Sequence, residues 1–115
     1  MYNKNNIFSM KIINKKMFDQ LKKDCKSFVL MFKISNCKYC PDMQLVLEKL
    51  EKKKKIAFYV CSLDKEDEEM QSVIKDYGIM AVPYTIFFLK AKIVAIITGI
   101  QTLEYLSNLF DEKML

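Results

Sequence analysis

Apolar positions along the chain switch between two spacings, and the switches mark the elements. IFSMKII at 7–13 reads as a strand. Asn14 follows as a helix cap, for a segment whose Met17, Phe18, Leu21 and Cys25 would share one face. SFVLMFKI at 27–34 is almost continuously apolar over a strand's length, which suits a central strand covered on both sides. Met43, Val46, Leu47 and Leu50 then recur at i, i+3, i+4 and i+7, the spacing of an amphipathic helix.

The second half follows the same logic to a different ending. IAFYVCSL at 56–63 is another buried strand. Asp64 reads as the cap of a helix carrying Glu66, Asp67, Glu68 and Glu69 in its first turn, where negative charge complements the helix dipole. Met70, Val73, Ile74 and Tyr77 form its inward stripe, and Gly78 stands just past its end. YTIFFLK at 84–90 and KIVAIITG at 92–99 are close enough to pair as an antiparallel hairpin. Thr102 caps a last helix with Leu103, Leu106, Leu109 and Phe110 on its inner side. The order is βαβαβαββα. Parallel crossovers followed by a hairpin predict an α/β fold in which a mixed central sheet carries helices on both faces.

Size and charge narrow the function. A chain of 115 residues, 51% hydrophobic, is one domain with its own core, and no repeat, Gly/Ser linker or long low-complexity tract divides residues 1–115. No apolar run approaches the roughly 18 residues of a membrane span, and MYNKNNIFSMKIINKK lacks a signal-peptide layout, so a cytoplasmic monomer is expected. The net charge of +5 would suit nucleic acid, but every basic residue is lysine. Arginine, which reads bases and phosphates bidentately, is absent, so no nucleic-acid partner is expected. EKKKK at 51–55 falls where a helix would end, and there positive charge is solvated and complements the dipole.

The chemistry concentrates in ISNCKYCPDM at 34–43, where Cys37 and Cys40 enclose Lys38 and Tyr39. Such a pair is a thiol–disulfide couple, half of a metal site, or two core cysteines. A metal would need two more ligands from Cys25, Cys61 or carboxylates, since the chain has no histidine; no second close-spaced pair exists, and no metal is expected. Cys25 and Cys61 each lie alone in an apolar-periodic element and read as small hydrophobes. The pair itself sits between the end of a central strand and the start of a helix, a favoured place for a reactive group in an α/β sheet. Helix-end N–H groups and the Lys38 charge there stabilise a thiolate, and the two-residue spacing lets one sulfur resolve a mixed disulfide on the other. Cys37 is expected to be the exposed nucleophile and Cys40, one turn into the helix, the buried resolving thiol. Pro41 either loosens a first turn that begins at Cys37 or opens the regular helix itself.

CKYC joined to YGIMAVPYTIFF at 77–88, with the strand at 27–34, the hairpin, Gly99 and the final helix, resembles the thioredoxin-like superfamily, and within it thioredoxin. The resemblance implies that the Val82–Pro83 bond is cis and faces the cysteine pair, and that Val82 offers its backbone to an extended peptide. The substrate groove would then be lined by Asn36, Lys38, Tyr39, Met80, Ala81, Val82, Pro83 and Tyr84.

The sequence also departs from the family. Asn36 replaces the usual tryptophan, Lys38-Tyr39 replaces Gly-Pro, and Met31 occupies the place of a buried aspartate. Tyr39 and the Val-Pro pair are similar to glutaredoxins, whose Gly-Gly-Asp segment is missing here. The reading is a thiol–disulfide oxidoreductase that reduces protein disulfides. It would need no bound cofactor and would draw electrons from a thioredoxin-reductase-like enzyme or glutathione. The alternatives are a glutathione-dependent enzyme of glutaredoxin type and an interaction module in which CKYC is dispensable.

Overall fold

The computed structural model describes residues 9–64 and 68–115. In chain order these form β1 (Lys11–Ile12), α1 (Lys15–Lys23), β2 (Phe28–Lys33), α2 (Cys40–Lys53), β3 (Ala57–Ser62), α3 (Glu68–Tyr77), β4 (Tyr84–Leu89), β5 (Lys92–Thr98) and α4 (Leu103–Met114). The sheet order is β1-β3-β2-β4-β5, with β1 and β2 parallel to β3, and β4 antiparallel to both β2 and β5. The expected mixed sheet is therefore present.

β2 lies at the centre because both of its faces are apolar. Phe28, Leu30 and Phe32 pack with Phe18 of α1 and Met70 and Val73 of α3, while Val29 and Met31 pack with Met43, Leu47 and Leu50 of α2 and Leu106 and Phe110 of α4. Burying each such side chain contributes about 1.5–3 kcal/mol, so the two faces hold the sheet between two helical layers. The first layer is mainly aromatic. Phe18 meets Phe28, Phe32 and Phe88 edge-on, at centroid distances of 5.7–6.3 Å.

Local hydrogen bonds account for the helix ends. Asn14 Oδ1 accepts the Met17 N–H at 2.9 Å and Thr102 Oγ1 accepts the Tyr105 N–H at 3.1 Å, as their cap positions predict. α3 closes with Gly78 at φ 63°, its N–H bonded to the Lys75 carbonyl and the Ile79 N–H to the Ile74 carbonyl. The expectation that Asp64 caps α3 with Glu66 and Asp67 in its first turn falls on positions 65–67, which lie outside the described residues.

Three expectations need correction. Cys25 is exposed and does not extend the inner face of α1. The helix stops at Lys23, and Cys25, at φ 53°, takes the left-handed closing position that Gly78 takes in α3. Strand β1 is also shorter than expected: positions 7 and 8 lie outside the described residues, and the Met10 N–H is held by the Glu48 carboxylate at 2.9 Å, away from the ladder. Finally, the lysine run is not wholly solvated. Lys54, past the end of α2, pairs with Asp111 of α4 at 2.7 Å and sits 5.3 Å from the centre of the Phe110 ring.

Candidate functional site

β2 ends at Lys33, α2 begins at Cys40, and the turn between them carries the cysteine pair. Cys37 and Cys40 are joined by a disulfide, with their Cα atoms 5.4 Å apart. Their exposures differ: Cys37 is half-buried, whereas Cys40 is 2% exposed and belongs to the core cluster under α2 and α4. Cys61 lies buried on β3, while Cys25 is far along the chain at the end of α1. Among the described residues, no three His, Cys, Asp or Glu side chains gather as a metal site requires.

The helix start differs from one expectation. Cys40 is the first residue of α2 and not one turn inside it, with Tyr39 as N-cap and Pro41 following. Proline has no N–H to lose at that place, so the regular helix opens at the second cysteine and leaves Cys37 in the turn before it. The first ladder-type bond runs from the Met43 N–H to the Tyr39 carbonyl at 3.1 Å. No side chain caps this end. The N–H groups of this end are therefore not engaged by a capping side chain, although the exposed Asp42 carboxylate stands in the first turn. Asn36, Lys38 and Tyr39 are exposed, and the Lys38 ammonium lies 5.3 Å from the centre of the Tyr39 ring.

Strand register brings the second segment to the pair. Tyr84 lies opposite Phe32 across β2 and β4, so positions 82–83 stand beside the end of β2 from which the cysteine turn departs. The Val82–Pro83 bond is cis. Val82 and Cys37 both pack against the cluster that contains Cys40. The Pro83 carbonyl accepts the Gly99 N–H at 2.8 Å, which ties this segment to the end of β5.

An apolar depression of about 180 Å³ is lined by Ile34, Leu63, Ile74, Ile79, Met80, Ala81 and Val82, and of these Val82 also packs against the cluster that holds Cys40. Met80 is 95% exposed at its rim. Of the expected groove residues, Met80, Ala81 and Val82 line the depression, whereas Asn36, Lys38 and Tyr39 lie on the turn. Tyr84 is a correction. It is buried in the α1/α3 layer, and its hydroxyl donates to the Tyr77 carbonyl at 3.0 Å, so it does not line a surface groove. Pro83 is buried as well.

Asp64 is a residue the sequence reading missed here. Its carboxylate accepts hydrogen bonds from the Ser35 N–H, the Ser35 hydroxyl and the Ser62 hydroxyl. The Ser62 and Ser35 bonds hold its carboxyl below the ordinary aspartate range. The signal was the parallel register: with Lys33 beside Ser62, the residues two positions further on, Ser35 and Asp64, meet past the strand ends.

A disulfide between a half-buried and a buried cysteine, at the start of a helix that follows a central strand, defines an α/β protein of thioredoxin fold. The chain belongs to the thioredoxin-like domain family, whose profile matches residues 14–113. Solved structures share the fold. A mutant thioredoxin from Halobacterium salinarum is 19% identical, over 91% of this chain and 92% of its own, at a TM-score of 0.75. Thioredoxin f2 of Chlamydomonas reinhardtii is 19% identical, over 90% and 95%, at 0.76. An uncharacterised thioredoxin-like protein of Clostridium perfringens is 21% identical, over 96% and 85%, at 0.72. No curated protein matches the chain.

Proposed function

We propose that this protein is a dithiol reductase of protein disulfides. The observation that carries the reading is the asymmetry of the Cys37–Cys40 pair, one cysteine half-buried in the turn before α2 and the other 2% exposed at the helix start. In the reduced state the Cys37 thiolate, favoured by the helix end and the Lys38 charge, attacks a substrate disulfide. One substrate sulfur leaves as a thiolate and the other stays bound to Cys37. Cys40 then attacks the Cys37 sulfur, the second substrate thiolate leaves, and the pair closes as the internal disulfide. Two electrons pass to the substrate, and the cysteines themselves carry them.

The depression that ends at Val82 supports an extended peptide as substrate. Its walls are apolar, so they would hold a side chain, and the Val82 backbone would pair with the peptide main chain at little cost in sequence preference. A reductase-like enzyme or glutathione would return the pair to the dithiol, as the cytoplasm permits. Insulin reduction coupled to a thioredoxin reductase, run beside a glutathione-coupled assay, tests the reading. Turnover in the first is expected. Turnover in the second alone would make the protein glutaredoxin-like, and turnover in neither would leave an interaction module.

A further inference from the structure

Position 85 carries a hydroxyl where packing alone asks for a methyl group. Thr85 is 0% exposed, and among the described residues its Oγ1 is the one buried side-chain oxygen or nitrogen without a hydrogen-bond partner. Burying a hydroxyl unpaired is unfavourable, and a valine would fill the space without that cost.

The strand pattern shows where this hydroxyl lies. Tyr84, Ile86 and Phe88 of β4 point into the α1/α3 layer, and Phe87 into the α2/α4 layer. Side chains alternate along a strand, so Thr85 stands on the α2/α4 side. Its ladder neighbours are Met31 on β2 and Ile97 on β5, both in the cluster that holds Cys40. It is the second residue of β4, at the end beside the cysteine turn. The unspent hydroxyl and the buried sulfur thus share one apolar compartment.

We propose that Thr85 donates a hydrogen bond to the Cys40 sulfur once the disulfide opens, and so stabilises the resolving thiolate. This rests on the reading of Cys37–Cys40 as a redox pair. In the disulfide the Cys40 sulfur is held against Cys37; reduction frees it to turn towards the hydroxyl and makes it a far better acceptor. In the resolving step Cys40 gives its proton to solvent and its thiolate attacks the Cys37 sulfur of the mixed disulfide. The Cys37–Cys40 bond forms, the bond from Cys37 to the substrate sulfur breaks, and the substrate leaves as a thiolate that takes a proton from water. Thr85 donates and does not remove the proton, so its effect is on how readily Cys40 ionises.

Few ionisable groups compete for that role. Lys38, Tyr39 and Asp42 are exposed on the turn and first helical turn, and Lys33 is half-buried at the end of β2. Beyond β3, Asp64 is engaged by Ser35 and Ser62. Glu48 lies two turns along α2, holding the Met10 N–H. β5 and α4 contribute apolar side chains to the compartment, Ile97 and Leu106 among them.

The test uses the whole protein with Thr85→Val or Thr85→Ser, charged at Cys37 with a chromophoric aryl thiol. Release of that thiol by Cys40 is followed from neutral to alkaline pH. For Thr85→Val the midpoint should rise by about one pH unit, making release about tenfold slower at neutral pH, the effect expected from one hydrogen bond to a charged group. Thr85→Ser, which keeps the hydroxyl, should restore the wild-type profile. Superimposed profiles for wild type and Thr85→Val, or a serine variant that behaves like valine, would overturn the role of Thr85 alone. A wild-type protein that never forms the mixed disulfide removes the redox reading and this proposal together.

Discussion

Asp64 holds Ser35 in two ways: its carboxylate accepts the Ser35 N–H at 3.2 Å and the Ser35 hydroxyl at 2.9 Å. Ser35 lies two residues before Cys37, so the end of β3 steadies the turn that carries the pair. The Ser62 hydroxyl, then the Ser35 bonds, keep the Asp64 carboxyl below its ordinary value. A carboxyl depressed in this way stabilises the fold above its ordinary value, and the stabilisation is lost as pH falls through the folded value. Wild type should therefore lose melting temperature on acidification more steeply than Asp64→Asn, the two curves converging at low pH. A gap that stays constant down to low pH would show that the charge plays no part.

The two cysteines should divide the chemistry. Cys40→Ser leaves the accessible sulfur with no resolving partner, so it should accumulate mixed disulfides with protein substrates, visible by non-reducing electrophoresis. Cys37→Ser should abolish both capture and turnover, because the remaining thiol is 2% exposed. Capture that survives Cys37→Ser and vanishes in Cys40→Ser would reverse the roles.

How much of this could be read in advance differs by element. The strands at 28–33 and 57–62 were legible because their runs are apolar on both faces, and Asn14 and Thr102 because a cap acts within three residues. Cys25 was misread because the chain has only two glycines and puts a cysteine where glycine usually closes a helix. Cys25, four residues after Leu21, continued the helical period on paper although the backbone had already turned at Asp24. Tyr84 was misread for another reason. Whether the residue after Pro83 points in or out depends on the pairing of β4 with β2, and no local signal sets that register. The Asp64–Ser35 contact, 29 positions apart, required the same kind of information.

Tyr84 should matter for stability and not for recognition. Its hydroxyl satisfies the Tyr77 carbonyl, one of the orphan acceptors at the end of α3, so Tyr84→Phe should cost about 0.5–1.5 kcal/mol in denaturant unfolding. The KM for a peptide disulfide should stay unchanged. A raised KM with unaltered stability would return Tyr84 to the substrate groove.

Cys25 offers a stabilising change. A non-glycine residue in the left-handed region costs roughly 1–2 kcal/mol, and at φ 53° Cys25 bears that cost with its side chain exposed. Cys25→Gly should raise unfolding stability by about 1 kcal/mol, while Cys25→Ala should leave it nearly unchanged. Equal effects of the two would mean that the conformation is not the source of the cost.

Met31→Asp sets stability against chemistry at one position. Met31 is fully buried, paired with Val60 and Thr85 across its two ladders, in the cluster that holds Cys40. A carboxylate there leaves water, and among its ladder neighbours only the Thr85 hydroxyl can donate to it. Burying such a charge costs several kcal/mol, of which one hydrogen bond returns a part, so the oxidised protein should lose about 2–4 kcal/mol at neutral pH. Burial raises the carboxyl above its ordinary value. The loss should therefore grow as pH rises through that range and shrink on acidification, where the neutral acid is buried. Adding Thr85→Val should deepen the loss, whereas in the Met31 background the same change should stabilise by removing an unpaired hydroxyl. The reduced state should respond differently. A carboxylate in this compartment can take the Cys40 proton directly, a role that contributes about 10²–10⁴-fold when the base is well placed, so release of a mixed disulfide should quicken at neutral pH. Stopped-flow release measured beside the melting curves separates the two effects. If a folded Met31→Asp protein releases its substrate no faster than wild type, either another group already takes the proton or attack by Cys37 limits the rate, and the methionine is not what slows the resolving step.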